Sequence, residues 1–172
     1  MNVTITPEGV KLDRAIVATG SLAEIYRTHI GDYPKFFKMD SLSKLGFLAA
    51  EFLLRDIPPE QKENAAVVLF NRNGSLVTDR NYQRTIALND NYFPSPALFV
   101  YTLANIVTGE IAIRHKIYGE TAFYILPERD DATIERVVAD MLLTSSPTMV
   151  VAGWVDWLDE NNYIADLKLI TN

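Results

Sequence analysis

From Ser95 to Gly119 the chain reads SPALFVYTLANIVTGEIAIRHKIYG, a segment apolar almost all the way round a helix. Leu98, Phe99, Val100, Leu103, Ile106, Val107, Ile111, Ile113 and Ile117 do not fit one narrow stripe. Their spacing predicts one long helix buried by neighbours on more than one side. Ser95 is a good N-cap, and Pro96 stands at the first helical position, where a missing N–H costs nothing. Gly119 is placed to end the helix. The segment is long enough to raise the question of a membrane span. Glu110, Arg114, His115 and Lys116 interrupt the apolar run, so a core helix is expected and no membrane span.

A chain of 172 residues is expected to form a single domain with a real core, spanning residues 1–172. Its 48% hydrophobic and 22% charged residues are a globular composition. The opening MNVTITPEGV has neither a basic segment nor a sustained apolar run, so a cytoplasmic location is expected. There is no cysteine, which excludes disulfides, thiolate-bound zinc and a thiol nucleophile. With only His29 and His115, a histidine-rich metal site is excluded too, and no cofactor is implied. A net charge of −6 argues against nucleic acid as a partner, because phosphate binding needs a positive surface.

Along the chain, Asn2–Thr6 alternates as a short strand and is followed by a turn at Pro7-Glu8-Gly9. Val10–Leu12 and Ala15–Ala18 suggest a ribbon with it. Ser21 and Glu24 form a capping-box pattern that starts a helix ending near Gly31. Asp40 caps a strong helix to about Arg55, stopped by Pro58-Pro59. Ala65–Phe70, Ala122–Leu126 and Thr148–Gly153 are continuous apolar runs, expected as strands covered on both faces. Leu76 to Pro94 reads as a long polar loop. Ala132–Leu143 is an amphipathic helix with Glu135, Arg136 and Asp140 on its polar face. After a turn at Asp159–Asn162, Tyr163–Ile170 alternates partially and suits an antiparallel edge strand. This rhythm is that of an α/β layer fold with a mostly parallel sheet.

Few residues suggest chemistry. Asn71-Arg72-Asn73-Gly74-Ser75 follows a strand but lacks the Gly-Lys-Ser/Thr ending of a phosphate loop. His115 is a conceivable base, though a capped or surface histidine is the simpler account. Asp130-Asp131 favours a helix start through the helix dipole without any cation. Lys35, Lys38, Lys44 and Arg55 give a locally basic run that either meets an acidic partner or is solvated. Trp154 and Trp157 either pack on a partner or close the domain's own core.

Three collinear stretches resemble the N-terminal half of a β-ketoacyl-acyl-carrier-protein synthase, a member of the thiolase superfamily. Lys38-Met39-Asp40-Ser41-Leu42-Ser43-Lys44-Leu45 resembles the family's Arg-Met-Asp-x-x-Ser helix start. Ser95-Pro96-x-x-Phe99, with Asn105, Ile111-Ala112 and Gly119, resembles its Ser-Pro helix. Val150–Asp156 resembles a strand ending in small residues. The resemblance spans roughly residues 38 to 157. It implies a three-layer α/β/α half-fold with a mostly parallel five-stranded sheet of order 3-2-1-4-5, the last strand antiparallel.

The departures are chemical. The family's nucleophilic cysteine follows a strand at a helix start, and here that junction reads Leu126-Pro127-Glu128-Arg129-Asp130. Glu128 stands near the cysteine position and cannot form the usual thioester. The family's two catalytic histidines belong to its C-terminal half, beyond the resemblance. Burying Glu135, Arg136 and Asp140 under a second half-domain would be expensive, so a chain standing alone, or under a polar partner, is expected. The resemblance therefore implies a non-catalytic accessory or binding protein of fatty-acid, polyene or polyketide assembly. Its partners would be a second copy, or a ketosynthase in a heterodimer, joined strand to strand as complete members are. An acyl carrier protein docking on Lys35, Lys38 and Lys44 is a further expectation. The alternatives are one half of a split synthase, or a small enzyme reusing the fold with Glu128 or Asp130 as general base.

Overall fold

The computed structural model describes residues 1–87 and 92–171. Its strands are β1 (Asn2–Thr6), β2 (Gly9–Leu12), β3 (Ala15–Ala18), β4 (Ala66–Asn71), β5 (Thr121–Ile125), β6 (Met149–Asp159) and β7 (Asn162–Thr171). Its α-helices are α1 (Leu22–His29), α2 (Ser41–Leu54), α3 (Pro59–Lys62), α4 (Leu76–Ile86), α5 (Pro96–Val100), α6 (Ile106–His115) and α7 (Asp131–Thr144). A 3₁₀ turn covers Pro34–Lys38.

Among the described residues the sheet is mixed and has seven strands in the order β3-β2-β1-β7-β6-β4-β5. This corrects the expected five-stranded, mostly parallel sheet of order 3-2-1-4-5. Only the β5–β4 and β4–β6 pairs are parallel, because only they are joined by helical crossovers. β1, β2 and β3 follow one another through tight turns and pair antiparallel. This meander attaches to β7 through β1, so the first strand lies outside the C-terminal hairpin rather than in the middle of the sheet. Two further expectations are reversed. Ala122–Leu126 is not a covered strand: β5 is the sheet's last strand, with Ile125 61% exposed. Tyr163–Ile170 is not an edge: β7 lies between β6 and β1.

The two faces of the sheet build two cores. Val3, Ile5, Val67, Leu69, Val151, Val155 and Leu167 face α1, α2 and α6. Ala66, Val68, Phe70, Val150, Ala152 and Trp154 face Ile134, Val138 and Met141 of α7. Gly153 of β6 has a φ of +150°, and a Cβ there would lie 2.1 Å from the Asp166 carbonyl oxygen, so the long β6–β7 hairpin can close only over glycine at this point.

The long helix from Ser95 to Gly119 is broken. Ser95 and Pro96 start α5 as expected, the Ser95 hydroxyl accepting from Leu98 N–H. The Ser75 hydroxyl then takes the Thr102 carbonyl, and Ile106 N–H turns to Leu103 O at 3.1 Å instead of continuing the α pattern. α6 restarts and ends at Lys116, whose φ is 55°, not at Gly119. Gly119 serves close approach instead: a Cβ would sit 2.2 Å from Ala65 O. Nor is the segment buried all round, for Phe99, Leu103 and Ile113 are each more than half exposed.

The expected polar loop from Leu76 to Pro94 contains α4, and residues 88–91 of it lie outside the described residues. α4 is polar and surface-borne. It is held by Thr78 Oγ1 donating to Asp40 Oδ2 at 2.6 Å and by Tyr82 against Phe99. Among the described residues no helix is long and apolar enough to cross a membrane.

Candidate functional site

The feature with the clearest capacity to bind something is the outer edge of β5. Leu126 N–H donates to Asn71 O at 2.8 Å, and Val67 N–H donates to Glu120 O at 3.0 Å. In a parallel ladder alternate residues face the same neighbour, so Ala122 and Tyr124 serve β4. The N–H and C=O groups of Thr121, Phe123 and Ile125 therefore face away from the sheet. Edge strands are normally guarded by charge, proline or a bulge. The β5 sequence, TAFYI, carries no charge and no proline. Tyr124 stacks on Phe70 of β4 with ring centroids 5.2 Å apart.

A cleft of about 730 Å³ runs along this edge, between β5, the Asn73–Ser75 loop and the Thr102–Asn105 connection. The Asn73–Ser75 side of its polar wall is bonded within the chain. Asn71 Nδ2 donates to Gly74 O and Gly74 N–H donates to Asn71 Oδ1, each at 2.9 Å, while Asn73 Nδ2 donates to Asp156 Oδ2 at 3.0 Å. The turn that follows β4 thus spends Asn71 on its own closure and Asn73 on β6, and exposed Leu103 and Ile125 give the cleft apolar surface.

The residues singled out from sequence do not assemble into one site. Glu128 is exposed in the connection from β5 to α7. Asp130 caps α7, accepting from Thr133 Oγ1 at 2.7 Å, Ala132 N–H at 3.1 Å and Thr133 N–H at 3.3 Å. The Thr133 bonds hold its carboxyl below the usual carboxylate range, the wrong direction for a general base at neutral pH. Asp131 pairs with Arg129 at 2.8 Å, and Arg129 reaches on to Asp166 at 2.8 Å. Trp154 and Trp157 lie within β6 and are buried on its opposite faces, closing the chain's own cores. Lys35 and Lys38 sit on the 3₁₀ turn and Lys44 on α2. Lys35 Nζ is 2.7 Å from Glu110 Oε2 of α6, so its charge is spent on a buried carboxylate that also accepts from Tyr101 OH at 3.0 Å.

A second polar assembly has no counterpart in the sequence reading beyond His115. Glu51 of α2 is 1% exposed and accepts from Arg114 Nε at 2.8 Å. Arg114 also donates to Asp32 at 2.7 Å and lies over the Tyr33 ring. His115 Nε2 is 3.0 Å from Glu51 Oε1, close but without a well-directed hydrogen bond. Lys62 Nζ donates to Leu54 O at 3.1 Å and lies 3.4 Å from His115 Nδ1. Burial acts to raise the Glu51 carboxyl, but His115 and Arg114 outweigh it and hold the group below its ordinary range. Among the described residues no group of three or more acidic or histidine side chains is placed to hold a metal.

No family model matches the chain, and no curated protein matches it in sequence. Solved structures do match. The ketosynthase ApeO in complex with its chain length factor ApeC, from Xenorhabdus doucetiae, gives a TM-score of 0.68 at 14% identity, over 99% of this chain and 76% of that one. The ishigamide ketosynthase/chain length factor gives 0.76 at 16% identity, over 99% of this chain and 60% of that one. At such identities the likeness is one of fold, and the fold is that of ketosynthase/chain length factor proteins.

Proposed function

We propose that this chain is an accessory ketosynthase-like subunit without condensing activity, which pairs through β5 with a ketosynthase in fatty-acid, polyene or polyketide assembly. The observation that carries the reading is the open, uncharged edge of β5 on a ketosynthase/chain length factor fold. Both neighbours are described as ketosynthase and chain length factor together. A strand added to β5 would gain main-chain hydrogen bonds from Thr121, Phe123 and Ile125, and the flanking apolar surface would supply burial. The absence of cysteine from the sequence supports a role other than the thiol-dependent condensation of the family that the chain resembles.

Ile125→Pro tests the contact. Its N–H faces outward, so proline removes a donor from the free edge while leaving the bonds to β4 in place. The variant should fold and lose its ketosynthase partner in pull-down from mixtures of purified proteins. Retained pairing would rule out β5 as the contact.

Carrier-protein docking belongs to the same reading in reduced form. With Lys35 tied to Glu110, it rests on Lys38 and Lys44.

A further inference from the structure

Lys62 is a lysine only 6% exposed, and it stands in line with a histidine and a carboxylate. Its Nζ is 3.4 Å from Nδ1 of His115, and Nε2 of the same ring is 3.0 Å from Oε1 of Glu51. A carboxylate opposite Nε2 favours the proton on that nitrogen, which leaves the Nδ1 lone pair facing the amine. Nucleophile, base and a third group orienting the base are the recurring parts of an activated side chain.

These residues line a cleft of about 290 Å³ together with His29, Asp32, Arg55 and Arg114, a polar space that admits only a small molecule. We propose that Lys62, with His115 as its base, forms imines with small aldehydes or ketones that enter this cleft. The neutral Nζ attacks the carbonyl carbon, an amine proton passes through His115 Nδ1 to the carbonyl oxygen, and a carbinolamine results. The C–O bond then breaks, and the oxygen leaves as water with both amine protons accounted for, giving the C=N bond. No oxidant or reductant is consumed. Desolvation lowers the Lys62 pKa and Arg114 adds to this, against the opposing pull of Glu51 and Glu60, which raises the neutral fraction the attack needs.

The test is reductive trapping of glyoxylate with cyanoborohydride at pH 7, on the chain alone, with peptide mapping of the carboxymethylated lysines. Lys62 should be modified at least about tenfold faster than Lys38 or Lys168, and His115→Asn should remove that advantage. Lys62→Arg should delete this one mark and leave the remaining map unchanged. Equal or faster labelling of Lys38 and Lys168 in the unaltered chain would overturn the proposal without recourse to any variant. So would an unchanged Lys62 rate in a folded His115→Asn protein.

Discussion

Glu51 and Arg114 face each other across α2 and α6, with Arg114 Nε 2.8 Å from Glu51 Oε1 and the carboxylate 1% exposed. Removing Glu51 leaves Arg114, 21% exposed, with Asp32 as its remaining ionic partner. Glu51→Ala should therefore cost about 1.5–3 kcal/mol, the range for lost hydrogen bonds to a charged group, read from urea denaturation.

The same carboxylate gives a pH dependence. Its folded-state pKa lies below the unfolded one, so its contribution is complete above the ordinary glutamate range, near about pH 4.3. That contribution is lost as pH falls through the lower, folded value. Denaturation midpoints should drop more steeply in the unaltered chain than in Glu51→Gln between about pH 5 and pH 3. Parallel curves would show that Glu51 contributes nothing to acid sensitivity.

Asp40 joins two elements. One carboxylate oxygen caps α2 by accepting from Ser43 N–H at 2.9 Å, and the other accepts from Thr78 Oγ1 of α4 at 2.6 Å. Asp40→Ala should lose about 1–2 kcal/mol, the usual range for a helix cap. Hydrogen exchange should show α4 opening faster, because this bond is one of the few that fasten a polar helix to the body.

Gly153→Ala should be among the most damaging single-methyl additions in the chain. The added Cβ meets the Asp166 carbonyl at 2.1 Å and the φ of +150° is hostile to an L side chain. A loss above about 2 kcal/mol is expected by thermal or chemical denaturation, since both strain and the β6–β7 ladder are affected.

The parts of the fold that were legible in the sequence are those written locally. The Ser21–Glu24 capping box forms as read, and so does the Asp40 cap of α2. The polar face of α7 is also as expected, with Glu135, Arg136 and Asp140 exposed. What was not legible depends on partners far along the chain. At the break between α5 and α6 the Ser75 hydroxyl donates to the Thr102 carbonyl, a contact that comes from outside Ser95 to Gly119. The alternation in β7 suits an edge, yet it arises because Asp166 and Lys168 lie on a face that α7 covers only partly. The Glu51–His115–Lys62 line draws on α2, α6 and α3, and no fixed spacing marks residues gathered from three separate helices. Sequence order also could not show that Lys35, grouped with Lys38 and Lys44, would be claimed by Glu110.

That last contact shapes the expectation for a carrier protein. Charge reversal at Lys38 and Lys44 together should weaken carrier binding by at least about tenfold at low salt, with the effect fading as ionic strength rises. Titration calorimetry with an acyl carrier protein would measure it. Binding insensitive to both charge and salt would place the carrier elsewhere.

The most direct measurement of the central claim is solution mass by light scattering, taken on the chain alone and mixed with ketosynthases from its own host. A stoichiometric complex with one ketosynthase, lost in a folded Ile125→Pro variant, is the predicted result. A chain that ignores every ketosynthase, or a complex that forms equally well with the β5 edge blocked, would contradict it.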